Sequence, residues 1–272
     1  MRKSVKKKGT GLRLLNYFFK GFFFILKLPY YYVKGTYRLG QRVSEEVDEV
    51  KVAKRRSLIL PKYEKFSVVH VVEGDYSKWI DDISKSDSQI GIILGSRGSG
   101  KTAFGVKSLE NSYSKYGKSC FAMGFLESEM PAWINVVENI KDIKNDSVVL
   151  IDEGGVLFNS RSSMSSANKL LSQLMMVARH KNISIIFVSQ NSSNLEVNIL
   201  RQADFLVLKP SSLLQKDFER KIVQKIYESS GNDFERFGDD EGLAYIYSGK
   251  FRGFVSNPLP SFWKEGISKG FK

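Results

Sequence analysis

"GIILGSRGSGKT", residues 91–102, carries an apolar, β-branched run into a glycine-rich loop and on into a helical continuation. Gly95, Gly100, Lys101 and Thr102 hold the spacing G-x-x-x-x-G-K-[ST], with Gly98 inside it. Glycines permit a tight loop whose N–H groups converge, and a helix N-terminus adds positive potential at the same point. Gly95, Ser96, Arg97, Gly98, Ser99, Gly100, Lys101, Thr102 and Ala103 are therefore expected to cradle phosphates. In such a loop Lys101 reaches the β- and γ-phosphates and the Thr102 hydroxyl is a Mg2+ ligand, so ATP and Mg2+ are the expected cofactors. Arg97 has two open roles, contacting phosphate or facing solvent.

Outward from the loop, short apolar runs alternate with segments of helical period: "SVVHVV", "SCFAMGF", "SVVLID", "ISIIFVSQ" and "DFLVLK". In "SSANKLLSQLMMVARH", residues 165–180, apolar positions 167, 170, 171, 174, 177 and 178 repeat along one helix face. Strands this apolar are covered on both sides, which predicts an α/β fold of three layers with a mostly parallel central sheet. The run 242–260, "GLAYIYSGKFRGFVSNPLP", predicts two strands around "SGK" as a hairpin at the sheet edge. Met175 and Met176 are read as filling the core beside the sheet.

Two further strands end in polar residues. "SVVLIDEGG" delivers Asp152 and Glu153, the first placed to hold Mg2+ through water and the second to deprotonate an attacking water. "ISIIFVSQN" ends in Ser189 and Gln190, and Gln190 is a candidate reporter of the γ-phosphate or, alternatively, the cap of the next turn. His70 and His180 have no ligand cluster around them in the sequence and read as surface or capping residues. Cys120, the one cysteine, reads as a small buried hydrophobe in a reducing compartment.

This order of motifs resembles the FtsK/HerA superfamily of P-loop motor ATPases. More specifically, "IDEGGVLFNSR", "ARHKNISIIFVSQ" and "LRQADFLV" resemble the zonula occludens toxin-like branch and the viral packaging ATPases. The resemblance spans roughly residues 88–210 and implies a three-layer P-loop NTPase fold (RecA/ASCE-like) and a ring of subunits. It assigns Lys101 and Thr102 to the Walker A pair, Asp152 and Glu153 to the Walker B pair, and Gln190 to the sensor. Arg161, Arg179 and Arg201 fall in its arginine-bearing stretches, and the resemblance implies that one arginine reaches a neighbouring subunit's γ-phosphate, with Arg179 the candidate catalytic arginine or simply a helix-ending cation. Gly154 and Gly155 depart from the more polar or aromatic family pattern. The serine-rich stretch 159–169 is either a substrate-facing loop or an ordinary connection.

Charge separates the chain further. Of the net +13, residues 1–60 carry +11, from 15 Lys or Arg against 4 Asp or Glu. Residues 1–60 are expected to form a basic aromatic arm, a candidate membrane anchor and linker. Residues 61–260 are expected to be the ATPase domain and 261–272 a tail. Within the arm, "RLLNYFFKGFFFILKLPYYYVK", residues 13–34, is interrupted by Lys20 and Lys27 and stopped by Pro29, which disfavours a simple span. Lys6, Arg13, Lys20, Lys27 and Lys34 recur every seventh residue, as in a helix lying on an anionic membrane; packing on its own domain or a neighbouring subunit is the alternative. "QRVSEEVDEVKVAKRRS", 41–57, reads as an exposed helix or linker. The expected partners are double- or single-stranded DNA held by its backbone, an anionic membrane surface at the inner face of a membrane, and further copies in a homo-oligomeric ring. An assembly or secretion ATPase with a protein substrate is the alternative.

Overall fold

The computed structural model describes residues 44–85, 88–154 and 164–269, together with Lys20, Lys34 and Gln41. The aromatic arm apart from Lys20 and Lys34, Gly155, Arg161 and residues 159–163 of the serine-rich stretch lie outside the described residues. The chain divides into two units, 1–54 and 55–272. Of the first, residues 44–54 are helical, with Val47 and Val50 exposed and Lys51 3.5 Å from Asp48. Among the described residues no helix is long and apolar enough to cross a membrane.

The second unit is built on one sheet of nine strands. In chain order its elements are β1 (Ser67–Gly74), α1 (Tyr76–Lys85), β2 (Ile90–Leu94), α2 (Lys101–Tyr116), β3 (Ser119–Met123), β4 (Ile134–Val136), β5 (Ser147–Asp152), α3 (Met164–Lys181), β6 (Ser184–Val188), α4 (Val197–Gln202), β7 (Phe205–Leu208), α5 (Leu213–Phe218), α6 (Lys221–Arg236), β8 (Leu243–Ser248), β9 (Phe251–Ser256) and α7 (Glu265–Lys269). The strand order is β1-β9-β8-β7-β2-β6-β5-β3-β4. From β7 to β4 every pairing is parallel, and β8, β9 and β1 add to β7 antiparallel. The predicted β8–β9 hairpin exists but is not the edge. β1, from "SVVHVV", pairs with β9 and takes that place, and its exposure along one margin is what an edge strand tolerates.

Alternation along the strands explains the three layers. Ile93, Val148, Leu150, Ile186, Val188, Cys120 and Ala122 face one apolar layer with Phe104, Val106 and Leu109 of α2 and Trp79 of α1. Their neighbours Ile92, Leu94, Val149, Ile151, Ile185, Phe187, Phe121 and Met123 face the other, with Leu171, Leu174, Met175 and Ala178 of α3 and Val223, Ile226 and Tyr227 of α6. Period two on strands meets period 3.6 on helices at both faces. Met176 is the exception to the expected core: one residue on from Met175 turns it away from the sheet, and it is 77% exposed. Cys120 is fully buried, and burial pushes its thiol up to about 12.

Both flanks of the second unit are tied to α2 by a buried ion pair. Lys107 Nζ lies 2.8 Å from Glu110 Oε2, both side chains fully buried. Glu110 also accepts from Lys62 N at 3.0 Å, from Ser261 N at 3.1 Å and from Ser261 Oγ, while Lys107 donates to Lys62 O at 3.2 Å. Residues 261–269 pack beside them, Phe262 and Ile267 entering the core. At the other flank Arg56 donates to Met130 O at 2.8 Å and pairs with Glu127 at 2.7 Å. Removing one partner of a buried pair strands the other charge. Glu110→Ala is therefore expected to cost about 3–5 kcal/mol in urea unfolding, far more than truncating an exposed glutamate such as Glu228.

Candidate functional site

Because β2, β5, β6 and β7 are parallel, their C-terminal ends share one edge of the sheet. The loop after β2 turns there through Gly95, Gly98 and Gly100, with φ of 149°, 79° and 84°; the last two values suit glycine far better than residues with a Cβ. Ser96 N donates to Pro210 O at 3.1 Å, anchoring the loop to the chain that leaves β7. Gly100 caps α2, so the helix N-terminus opens into the loop. Lys101 folds back and donates to Gly95 O at 2.9 Å and Ser96 O at 2.7 Å. Burial lowers its pKa to about 8 against the pull of Asp152 and Glu153. Arg97 is exposed at the tip, and Ala103 puts its side chain into the core, leaving only its backbone for a ligand.

Between β2 and β5 lies β6, and this order assembles the acids. Thr102 Oγ1, one residue into α2, donates to Asp152 Oδ2 at 3.0 Å. Asp152 Oδ1 accepts from Gly154 N at 3.1 Å. Glu153 is held from β6: Ser189 Oγ donates to Glu153 Oε2, and the Gln190 backbone and the Asn194 side chain act on the carboxylate from nearby. Its other oxygen, Oε1, is buried with no hydrogen-bond partner among the described residues. Burial raises the Glu153 pKa above the usual carboxylate range, more than those groups lower it. A buried carboxylate with one oxygen fixed and the other unpaired among the described residues has the geometry to orient a water molecule. Thr102 and Asp152 fit Mg2+, a hard ion held by one or two protein oxygens and completed by phosphate and water.

Several expected residues stand elsewhere. The Gln190 side chain is exposed, and its backbone is what touches the site: it acts on Glu153, and its O accepts from Gln215 Nε2. Arg179 and Arg201 end α3 and α4, which lead into β6 and β7 at the strands' other ends. Five strand residues separate that edge from the loop, about 16 Å, so neither arginine serves the phosphate loop of its own chain. Both sit in last helical turns, where a cation answers the helix dipole. His180 is exposed in the same turn, and His70 packs beside the ring of Phe237. Among the described residues no metal-ligating group of His, Cys, Asp and Glu occurs.

The sequence reading missed what fixes the Ser189–Leu195 loop. Glu219 accepts from Ser192 N at 2.7 Å and from Ser192 Oγ, and Arg220 donates to Ser192 O at 3.0 Å and to Leu195 O. Asn168 of α3 closes the other side, donating to Asn194 O at 2.9 Å. Ser189→Ala should leave nucleotide binding intact and lower turnover about 10- to 100-fold, since it loosens the base. Without that hydrogen bond the ionised form of Glu153 loses support, so the acid limb of the pH–rate profile should move to higher pH.

Residues 125–208 match the family described as Zonular occludens toxin (Zot). No curated protein sequence matches the chain. Among solved structures, the DNA-packaging ATPase B204 of Sulfolobus turreted icosahedral virus is 15% identical, with 63% of this chain and 98% of that chain covered, at a TM-score of 0.44. EssC (ATPases 2 and 3) from Geobacillus thermodenitrificans is 12% identical, with coverage of 79% and 48% and a TM-score of 0.40. By its own sheet order, loop and acid pair, the chain has the fold of a P-loop NTPase, and its segment 125–208 is similar to the Zot family.

Proposed function

We propose that this protein is a Mg2+-dependent ATPase that couples hydrolysis to the movement of DNA. The observation that carries the ATPase reading is the paired arrangement at the strand ends, Thr102 with Asp152 and Ser189 with Glu153, beside an intact phosphate loop. Loop N–H groups from Gly95 to Thr102 bind the phosphates, and Lys101 exchanges its two loop carbonyls for phosphate oxygens. Thr102 and Asp152 would hold Mg2+, which when bound offsets phosphate charge. Glu153 orients a water through Oε1 and takes its proton, while Ser189 keeps the carboxylate from turning away.

For DNA as the moved substrate, support comes from the net charge of +13, most of it in residues 1–60, and from the resemblance of the motif order to motor ATPases. For self-association, support comes from α5 and the start of α6, where Leu213, Leu214, Phe218 and Ile222 are 56–80% exposed. Such a patch is what a protein contact covers. It lies on the segment that grips the Ser189–Leu195 loop through Gln215, Glu219 and Arg220. The same patch favours, as a second reading, an ATPase acting on a protein substrate. An anionic membrane surface at residues 13–34 belongs to either reading and rests on sequence spacing.

ATPase activity of the full chain, assayed with and without double- and single-stranded DNA, separates the two. The motor reading expects stimulation by DNA that weakens steeply between 50 and 200 mM salt, as phosphate-backbone contacts do. Activity indifferent to DNA at low salt, with stimulation by a partner protein, would establish the second.

A further inference from the structure

The nucleotide reading uses Lys101 and leaves a second buried lysine unexplained. Lys209 directly follows β7: its N–H donates to Leu94 O at 2.8 Å, its carbonyl accepts from Tyr227 Oη at 2.9 Å, and its side chain is fully buried. That side chain runs beneath the phosphate loop. A Cβ added to Gly95 would meet Lys209 Cβ at 2.6 Å, and one added to Gly100 would lie 3.7 Å from Lys209 Nζ. The ammonium donates to Gly242 O at 2.9 Å and Asn257 Oδ1 at 2.7 Å, and it stands 5.9 Å from the Phe104 ring centroid.

Both hydrogen-bond acceptors are neutral. Among the described residues no carboxylate pairs with Lys209. Asp240, which acts on it at longer range, already accepts from Gly242 N and Ser256 Oγ, each at 2.8 Å. Burial pushes the Lys209 pKa down to about 7. A lysine buried on neutral acceptors alone is costly unless an anion approaches it. The anion suited to this corner is the one whose cradle closes over it, the phosphate group held by the loop at the α2 N-terminus.

We infer that Lys209 is a second cation of the nucleotide site, a positioning residue that acts from behind the loop. It props Gly95 and Gly100 in shape, and its charge is answered by phosphates bound on the loop's opposite face. Through Gly242 and Asn257 it also fastens the β8–β9 hairpin to the loop, so the antiparallel extension of the sheet becomes part of the phosphate site. This inference rests on the nucleotide reading.

The test measures binding of ATP and of AMP, with Mg2+, to the full chain by calorimetry. Lys209→Met should weaken ATP about 10-fold and AMP clearly less, because the interaction scales with ligand charge. Asn257→Asp keeps the lysine but sets a carboxylate against it, cancelling its field, and should weaken ATP over AMP in the same sense. It carries the test should Lys209→Met not fold. ATP affinity within twofold of wild type in the folded variants, or an equal loss for ATP and AMP, would reduce Lys209 to a structural prop and overturn the inference. Lys101→Ala keeps the two claims apart: wild-type ATP binding abolished by that change upholds the nucleotide reading whatever Lys209 does. Absence of ATP binding in the wild type would remove both.

Discussion

The hydrogen bond from Thr102 Oγ1 to Asp152 Oδ2 joins the start of α2 to the end of β5 across an intervening strand. It exists only because β2, β6 and β5 are neighbours in that order and run parallel, so the loop after one strand and the acids after another meet at one edge. The strand between them, β6, then cannot avoid the site. Its last residues enter directly beside Glu153, and Ser189 becomes the partner of that carboxylate. The two apolar layers hold this order because each strand from β2 to β3 is buried on both faces. The network of Glu219 and Arg220 holds the loop that leaves it.

Charge is the second organising constraint. Three lysines of the second unit, Lys101, Lys107 and Lys209, are nearly or wholly buried, and each is kept by a different device. Lys107 has a carboxylate partner and serves architecture, tying residues 62 and 261 to α2. Lys101 rests on two carbonyls that phosphate oxygens can replace. Lys209 rests on one carbonyl and one amide oxygen. A lysine satisfied only by neutral oxygens keeps its charge available to an arriving anion, whereas one paired with glutamate does not. That distinction separates the lysine of the scaffold from those of the site.

The central sheet and its loop were legible in the sequence because their signals are local. β-branched runs mark strands, and the glycine and Lys-Thr spacing marks the phosphate loop. Acids ending an apolar strand identified Asp152 and Glu153. What sequence could not show was long-range pairing: that β1 rather than the hairpin would be the edge, that Glu219 would reach Ser192, or that Lys209 would lie under Gly100. Gln190 and Ser189 illustrate the limit best. Both were placed at the same sheet edge, but which of two adjacent residues turns inward depends on the strand's phase against its neighbours. That phase buries Ser189 and exposes the Gln190 side chain. Arg179 stands in the last turn before β6, far from the phosphate loop of its own chain, and the role that the resemblance implies for it is toward a neighbouring subunit's phosphate.

The central claim is that one loop and two strand ends make a hydrolytic centre in which Glu153 activates water and is dispensable for holding ATP. Labelled ATP, followed for both retention and hydrolysis on Glu153→Gln protein, tests it most directly. The account predicts ATP retained at near-stoichiometric level with turnover lowered at least about 100-fold. Hydrolysis by Glu153→Gln at the wild-type rate would contradict it.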